Sequence, residues 1–205
     1  SWNKFSCSLL LLVFSFLQVH SQDNINSEKN WKNMQLIVDN IKPPTFPNKT
    51  YNINEYGAKA DGVTDNTQVI KKTIETCSKN GGGIVLVPKG KYLSSAIHLE
   101  NNVNWHLYKE AEIIFSTNPS HYLPLVHTSF EGTELMNYSP LIYAYNKTNV
   151  AVTGEGTLNG QASNDNWWRW GNREIYGWKI GMPSQNDPQS IKRLMEMGEN
   201  NTPVS

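Results

Sequence analysis

Tyr51 to Tyr92 reads YNINEYGAKADGVTDNTQVIKKTIETCSKNGGGIVLVPKGKY, and this stretch decides the fold. Tyr51, Ile53 and Glu55 alternate with Asn52, Asn54 and Tyr56, the period of a strand. Gly57 and Asp61-Gly62 mark turns. Asp65 reads as a helix N-cap, with Gln68 three residues on as in a capping box. Ile70, Ile74 and Cys77 then fall on one helical face, over a helix predicted for Thr67 to Ser78. Asn80-Gly81-Gly82-Gly83 stops it, because glycine accepts the left-handed backbone of a helix end. Ile84 to Val87 is a short, wholly apolar run, which predicts a strand buried on both faces as in parallel sheets.

After this segment the helical period disappears. Ala96 to Leu99, Val103 to Leu107 and Glu112 to Phe115 read as short strands separated by Asn or Gly turns. Asn102-Val103-Asn104-Trp105 is echoed 47 residues later by Asn149-Val150-Ala151-Val152. Each copy is followed by a turn containing Glu and a second strand, which is what stacked coils of a solenoid produce. An antiparallel sandwich with frequent turns fits the same pattern. Residues 118–140 carry Asn118-Pro119, Pro124 and Pro140 and read as a looser segment. Residues 160–205 read as loop, with a short helix over Ile191 to Met197.

Towards the N-terminus, Lys4 precedes an apolar run from Leu9 to Leu17, followed by Val19-His20-Ser21. This is the pattern of a secretory signal peptide, residues 1–21, cleaved after Ser21. The run is shorter than the roughly 20 residues that span a bilayer. Residues 22–50 form a polar lead-in in which Met34 to Ile41 predicts a helix, broken by Pro43, Pro44 and Pro47. Residues 51–205 are then one domain. Removal of the signal takes away Cys7 and leaves Cys77 without an internal disulfide partner; its place on the apolar helix face predicts a buried, structural thiol. Four glycosylation sequons, at Asn48, Asn137, Asn146 and Asn200, matter only in a host that uses them.

The 18 basic and 18 acidic residues balance, and no block of like charge marks a nucleic-acid or membrane surface. Seven Trp and nine Tyr in 205 residues give the chain aromatic surface to spare, for packing or for stacking on sugars. Pro88-Lys89-Gly90-Lys91 is no phosphate loop, since Val85 and Tyr92 stand where a glycine and a Ser or Thr are needed; Lys89 to Tyr92 reads as a turn into the next strand. His98, His106, His121 and His127 lack metal-ligand spacing. Of the carboxylates, Asp61 reads as a turn residue and Asp65 as a cap, and Glu110 and Glu155 lie in turns. Glu112, Asp165 and Asp187 share no spacing that predicts a common face, so no acid–base pair emerges. Trp167-Trp168-Arg169-Trp170 is the strongest surface candidate: indoles stack on sugar rings and Arg grips carboxylates bidentately, so Trp167, Trp168 and Arg169 are the candidate substrate-binding residues. Packing of this loop onto the solenoid is the competing reading.

Tyr56-Gly57-Ala58, Asp61-Gly62, Asp65-Asn66-Thr67, the triple glycine before Ile84 to Pro88, and Gly90-Lys91-Tyr92 resemble the opening of pectate-lyase-like proteins. Thr153-Gly154-Glu155-Gly156-Thr157-Leu158-Asn159-Gly160, followed by Trp167-Trp168, narrows the resemblance to the polygalacturonase family of glycoside hydrolases, family 28. The resemblance runs from about Tyr51 to Trp170. It implies an all-β fold: a right-handed parallel β-helix, its first coils closed by an N-terminal capping α-helix. It also implies inverting hydrolysis of α-1,4-galacturonosyl bonds by an acid and a base on opposite sides of the bond. The family's Asn-Thr-Asp, Asp-Asp, Gly-His-Gly and Arg-Ile-Lys motifs are absent: Thr64-Asp65-Asn66 has the wrong order and Ile191-Lys192-Arg193 is not the basic motif. The expectation is therefore an N-terminal fragment of a secreted, monomeric pectin hydrolase, with no catalytic residue, metal ligand or cofactor site of its own. The alternatives are a glycan-binding solenoid of tailspike or adhesin type and a lyase of the same superfamily, which would need calcium and a basic residue.

Overall fold

The computed structural model describes residues 30–204, so the signal peptide expected over residues 1–21 lies outside the described residues. A first helix, α1, is described over residues 30–40 and belongs to a unit separate from the one that begins at Pro44. It ends before Pro43-Pro44, where the missing amide donors stop a helix.

From Thr50 onward the chain winds into coils whose strands stack in parallel. One sheet is ordered β1 (Thr50–Asn52), β3 (Gly83–Val87), β6 (Val103–Leu107), β11 (Ala151–Gly154). A second is ordered β2 (Asp61–Asp65), β4 (Gly90–Ser94), β7 (Ala111–Phe115), β12 (Thr157–Asn159). A third pairs β5 (Ile97–His98) with β10 (Ile142–Tyr143). Every pairing within these three sheets is parallel, which removes the antiparallel sandwich and makes the molecule a right-handed parallel β-helix.

Like positions of successive coils stack. Val85 lies between Tyr51 and Trp105, and Val87 beside Leu107. Tyr92 stacks on Ile113 and Ser94 on Phe115. These inward residues are almost wholly buried, and all but Ser94 belong to one hydrophobic core cluster. The echo of Asn102 at Asn149 is real in space: β11 runs beside β6 in that register, with Ala151 opposite Asn104 and Val152 opposite Trp105.

The capping helix α2 (Thr67–Lys79) inserts Ile70, Thr73, Ile74 and Cys77 towards the same core. Burial pushes the Cys77 thiol up to about 11, with Lys49 opposing weakly, as befits a packing residue.

Several local expectations are corrected. The strand expected over Tyr51 to Tyr56 is three residues long, and Ile53–Tyr56 is a 3-10 turn because the Asn52 side chain caps Asn54 N at 3.0 Å. The N-cap of α2 is Asn66, not Asp65. Asp65 Oδ1 still accepts from Thr67 N at 2.9 Å. Asn66 is buried and turns inward, accepting from Lys59 N at 2.7 Å and donating to Thr64 O at 2.8 Å. It thus ties the Asp61 turn to the helix start. Strand β3 is fully buried only at Gly83, Val85 and Val87; Ile84 and Leu86 face outward and are half-buried. Lys89 to Tyr92 is not all turn, since Gly90 already begins β4.

The segment over residues 118–140 also carries more order than its prolines implied. It contains a 3-10 turn, Pro119–Tyr122, and an antiparallel hairpin of β8 (Val126–Phe130) and β9 (Thr133–Asn137). Glu131 and Gly132, both at positive φ, make the two-residue connection. The helix expected near Ile191 is α3 (Pro188–Glu199), capped by Asp187, whose carboxylate accepts from Ser190 N at 3.1 Å.

Candidate functional site

The Trp loop follows β12. Ser163 O accepts from both Trp167 N and Trp168 N, at 3.1 and 2.9 Å, which folds the loop back on itself before the 3-10 turn Trp168–Gly171. Trp167 is 52 % and Trp168 46 % exposed, so both indoles keep faces available to a ligand. Trp167 packs against Trp170 (ring centroids 5.8 Å apart), and Trp168 against Tyr176 at 6.2 Å. Arg169 Nε donates to Asn164 O at 3.0 Å, and an Nη donates to the carbonyl of Asp165. Part of its donor fork therefore serves the loop, while the two tryptophans remain outward. The ring contacts of Trp167 and Trp168 are made within the loop region itself, to Trp170 and Tyr176.

A second aromatic feature, not anticipated from the sequence, lies on the β5–β10 sheet. Parallel register sets His98 beside Tyr143, ring centroids 5.0 Å apart. Tyr145, two residues beyond Tyr143 and on the same side, stacks on it at 6.4 Å with planes only 6° apart. His127, from hairpin strand β8, closes the row against Tyr145 at 4.8 Å. Tyr143 Oη donates to His127 O at 2.7 Å and pins the hairpin to the sheet. Glu134, on β9, sets a carboxylate oxygen 3.7 Å from His127 Nε2. Tyr143, Tyr145, His127 and Glu134, without His98, line a cleft of about 370 Å³. That lies near the lower end of the roughly 300–1,000 Å³ of small-molecule sites. The signal in the sequence was Tyr143-Ala144-Tyr145, an alternating pair that points two rings the same way, but its partners come from the preceding coil and from the β8–β9 hairpin.

The remaining candidate groups are spread over the solenoid and engaged in local structure. Asp61 is held down at about 2 by the Thr64 hydroxyl and by the Thr64 and Val63 amides. Glu110 pairs with Lys89 at 2.9 Å. Glu112 accepts from Asn159 Nδ2 at 2.8 Å and lies 3.5 Å from Lys91, which together hold its carboxyl below the usual range. The cap role of Asp187 lowers it too, chiefly through the Ser190 hydroxyl. His98 Nε2 meets Ser139 Oγ at 2.9 Å, and His106 Nδ1 meets Thr153 Oγ1 at 2.8 Å. Desolvation first, and then Lys71, hold His98 below its ordinary value. Among the described residues no three His, Cys, Asp or Glu side chains cluster as metal ligands.

With this geometry in view, the relatives are informative. The family model for rhamnogalacturonase A/epimerase, pectate lyase-like, matches residues 50–114, the stretch from β1 into β7. A crystal structure of a hyperthermoactive exopolygalacturonase from Thermotoga maritima is 43% identical and superposes with a TM-score of 0.77, covering 83% of this chain and 38% of that one. An exo-poly-alpha-D-galacturonosidase of Dickeya chrysanthemi is 29% identical over 55% of this chain and 19% of its own length. A probable polygalacturonase of Vitis vinifera is 28% identical over 56% of this chain and 25% of its own. The matched part of the chain thus spans about a fifth to a quarter of these two curated relatives.

Parallel coils closed by α2 and joined by glycine turns define a pectate-lyase-like β-helix. Within that class, the run from Thr153 to Gly160 with its Trp pair, together with these relatives, makes the chain similar to the polygalacturonase family of glycoside hydrolases, family 28.

Proposed function

We propose that these coils open a secreted hydrolase that cleaves α-1,4-galacturonosyl bonds in pectin-like polysaccharide with inversion. The observation that carries the reading is the 43% identity to the Thermotoga exopolygalacturonase across 83% of this chain. Residues 1–21 are its export signal. The acid and base that inversion requires, with a water between them, come from the part of the protein that carries the family's catalytic motifs, not from the described coils. This chain contributes scaffold and glycan contacts: Trp167 and Trp168 stack on sugar rings, and Arg169 meets a uronate carboxylate with the donors its loop leaves free. The protein works as a monomer on a polysaccharide, without nucleic acid, membrane or cofactor.

The test is to incubate the protein encoded by the complete reading frame with polygalacturonate. New reducing ends without a new double bond are expected. Unsaturated products would make it a lyase, and binding without cleavage would make it a glycan-gripping solenoid.

A further inference from the structure

A cavity of about 180 Å³ lies where α2, β5 and the 3-10 turn Pro119–Tyr122 meet. Part of its lining is aliphatic: Ile70, Ile74 and Ile97 are nearly fully buried, and Leu123 is half exposed. Gln68 and Lys71, one helical turn apart on α2, bring an amide and an ammonium to the same space, and β5 brings His98. Among the described residues no Asp or Glu lines it.

The carboxylates that could neutralise Lys71 are engaged elsewhere. Glu75, four residues on along α2, would be its helical partner, but Glu75 Oε2 lies 3.7 Å from Lys79 Nζ. Glu100, just after β5, pairs with Lys147 at 2.5 Å. Lys71 therefore brings its charge to the cavity without an ion-pair partner among the described residues. It lies close enough to His98 to add to the desolvation that holds that imidazole below its ordinary value. The Ser139 hydroxyl donates to Pro140 O at 3.0 Å, so it accepts from His98 Nε2 at 2.9 Å. That contact fixes the His98 ring at the cavity wall. His121 has both ring nitrogens engaged, with Ser116 Oγ at 2.8 Å and Asn118 Nδ2 at 3.2 Å, and offers no free donor.

An ammonium and an imidazole that share a small cavity with aliphatic side chains suit an organic acid. The carboxylate meets the ammonium in a charge-assisted bond, and the body of the ligand covers the aliphatic lining. Inorganic sulfate would satisfy the charge and leave that lining bare. The volume falls below the roughly 300 Å³ at which small-molecule sites begin, so it takes one sugar ring or a short chain at most. We infer that the Lys71–His98 cavity binds a small organic monocarboxylate, either a single sugar acid or a short-chain acid, at a site separate from the Trp loop. The inference does not depend on the hydrolase reading. Ile70 and Ile74 also belong to the core, so a bound acid would tie the cap α2 to β5.

NMR titration of the purified protein tests this, followed at the His98 ring C–H signals, which His98→Asn assigns. The probes are sodium butyrate, sodium D-galacturonate, sodium sulfate and methyl α-D-galactopyranoside, at fixed pH and ionic strength. At least one carboxylate should move the His98 signals saturably, with a Kd on the order of 1 mM, and neither sulfate nor the neutral glycoside should do so. Whichever carboxylate binds tighter tells a short-chain acid from a sugar acid. Lys71→Gln should weaken the binding at least about tenfold. Lys72→Gln removes the same charge from the exposed neighbour and should leave binding unchanged, as should Trp168→Ala. The site is overturned by the lack of a saturable shift with either carboxylate, or by an equal response to sulfate or to the neutral glycoside. A loss no greater in Lys71→Gln than in Lys72→Gln overturns it too. Cleavage of polygalacturonate by the complete protein is read separately, and its failure overturns only the hydrolase.

Discussion

Asn149 Nδ2 donates to Asn102 Oδ1 across 3.1 Å, although the two residues stand 47 apart in the chain. Both hold the left-handed backbone, at φ 54° and 61°, which asparagine adopts at less cost than other side chains. The same amide nitrogen reaches Thr45 O at 2.8 Å, so one side chain joins the turns before β6 and β11 to the segment that leads into β1. Asn149→Ala loses both bonds and places a Cβ residue without a polar tip in that conformation. The expected loss is about 2 kcal/mol, read as a lower urea midpoint. Asn149→Gly should lose less, because glycine relieves the backbone strain while losing the same bonds. Equal midpoints for the alanine variant and the unaltered protein would mean the asparagine row is ornamental.

Gly154 ends β11 at φ 103°, and a Cβ built there would run into the carbonyl oxygen of Leu107 in the coil beside it. Gly83 stands in the same relation to Lys49 O. The glycines of the Gly-Glu-Gly run and of the triple-glycine turn therefore serve coil-to-coil approach as well as turn geometry. Gly154→Ala must both strain φ and separate the strands. We expect a loss above about 3 kcal/mol, seen as loss of cooperative unfolding or of soluble protein. A variant as stable as the parent would show that the coils can part without cost.

The repeat of 47 residues, the helical face of Ile70, Ile74 and Cys77, and the turn glycines were legible because each is a local pattern repeated under one physical constraint. Asp65 misled because two adjacent residues, Asp65 and Asn66, are both good cap formers; burial decided between them, and burial is not a local property. The hairpin of Val126 to Asn137 hid among prolines, and its short strands lack a clean apolar alternation because most of their residues are only half-buried or exposed. The aromatic row was invisible for a different reason. His98 lies one coil before Tyr143, and only the parallel register of β5 and β10 sets the two side by side, while His127 reaches the row from a hairpin that the sequence hid.

Cys77 is fully buried beneath the cap, and burial raises its thiol to about 11. Native protein should resist iodoacetamide at pH 8, because too little thiolate forms and none is accessible. Peptide mapping should find Cys77 alkylated only once denaturant opens the α2 cap. Rapid labelling of the native protein would mean the cap detaches readily from the first coil.

Trp167 and Trp168 keep roughly half their surface in solvent, a costly arrangement if they served packing alone. Trp168→Ala should lower affinity for galacturonan oligomers by about 1–2 kcal/mol while leaving the thermal midpoint within a degree or two. Quenching of tryptophan emission by the oligomer should fall in parallel. A variant that binds unchanged but melts early would assign the loop to packing.

The stereochemistry of polygalacturonate cleavage is the most direct test of an inverting hydrolase. Proton NMR of the products, recorded in the first moments of polygalacturonate cleavage, reads the anomeric configuration before mutarotation erases it. An inverting hydrolase acting on α-linked galacturonate must release the β-anomer first, and that is the predicted result. Initial release of the α-anomer, or of a product carrying a 4,5-double bond, would contradict it.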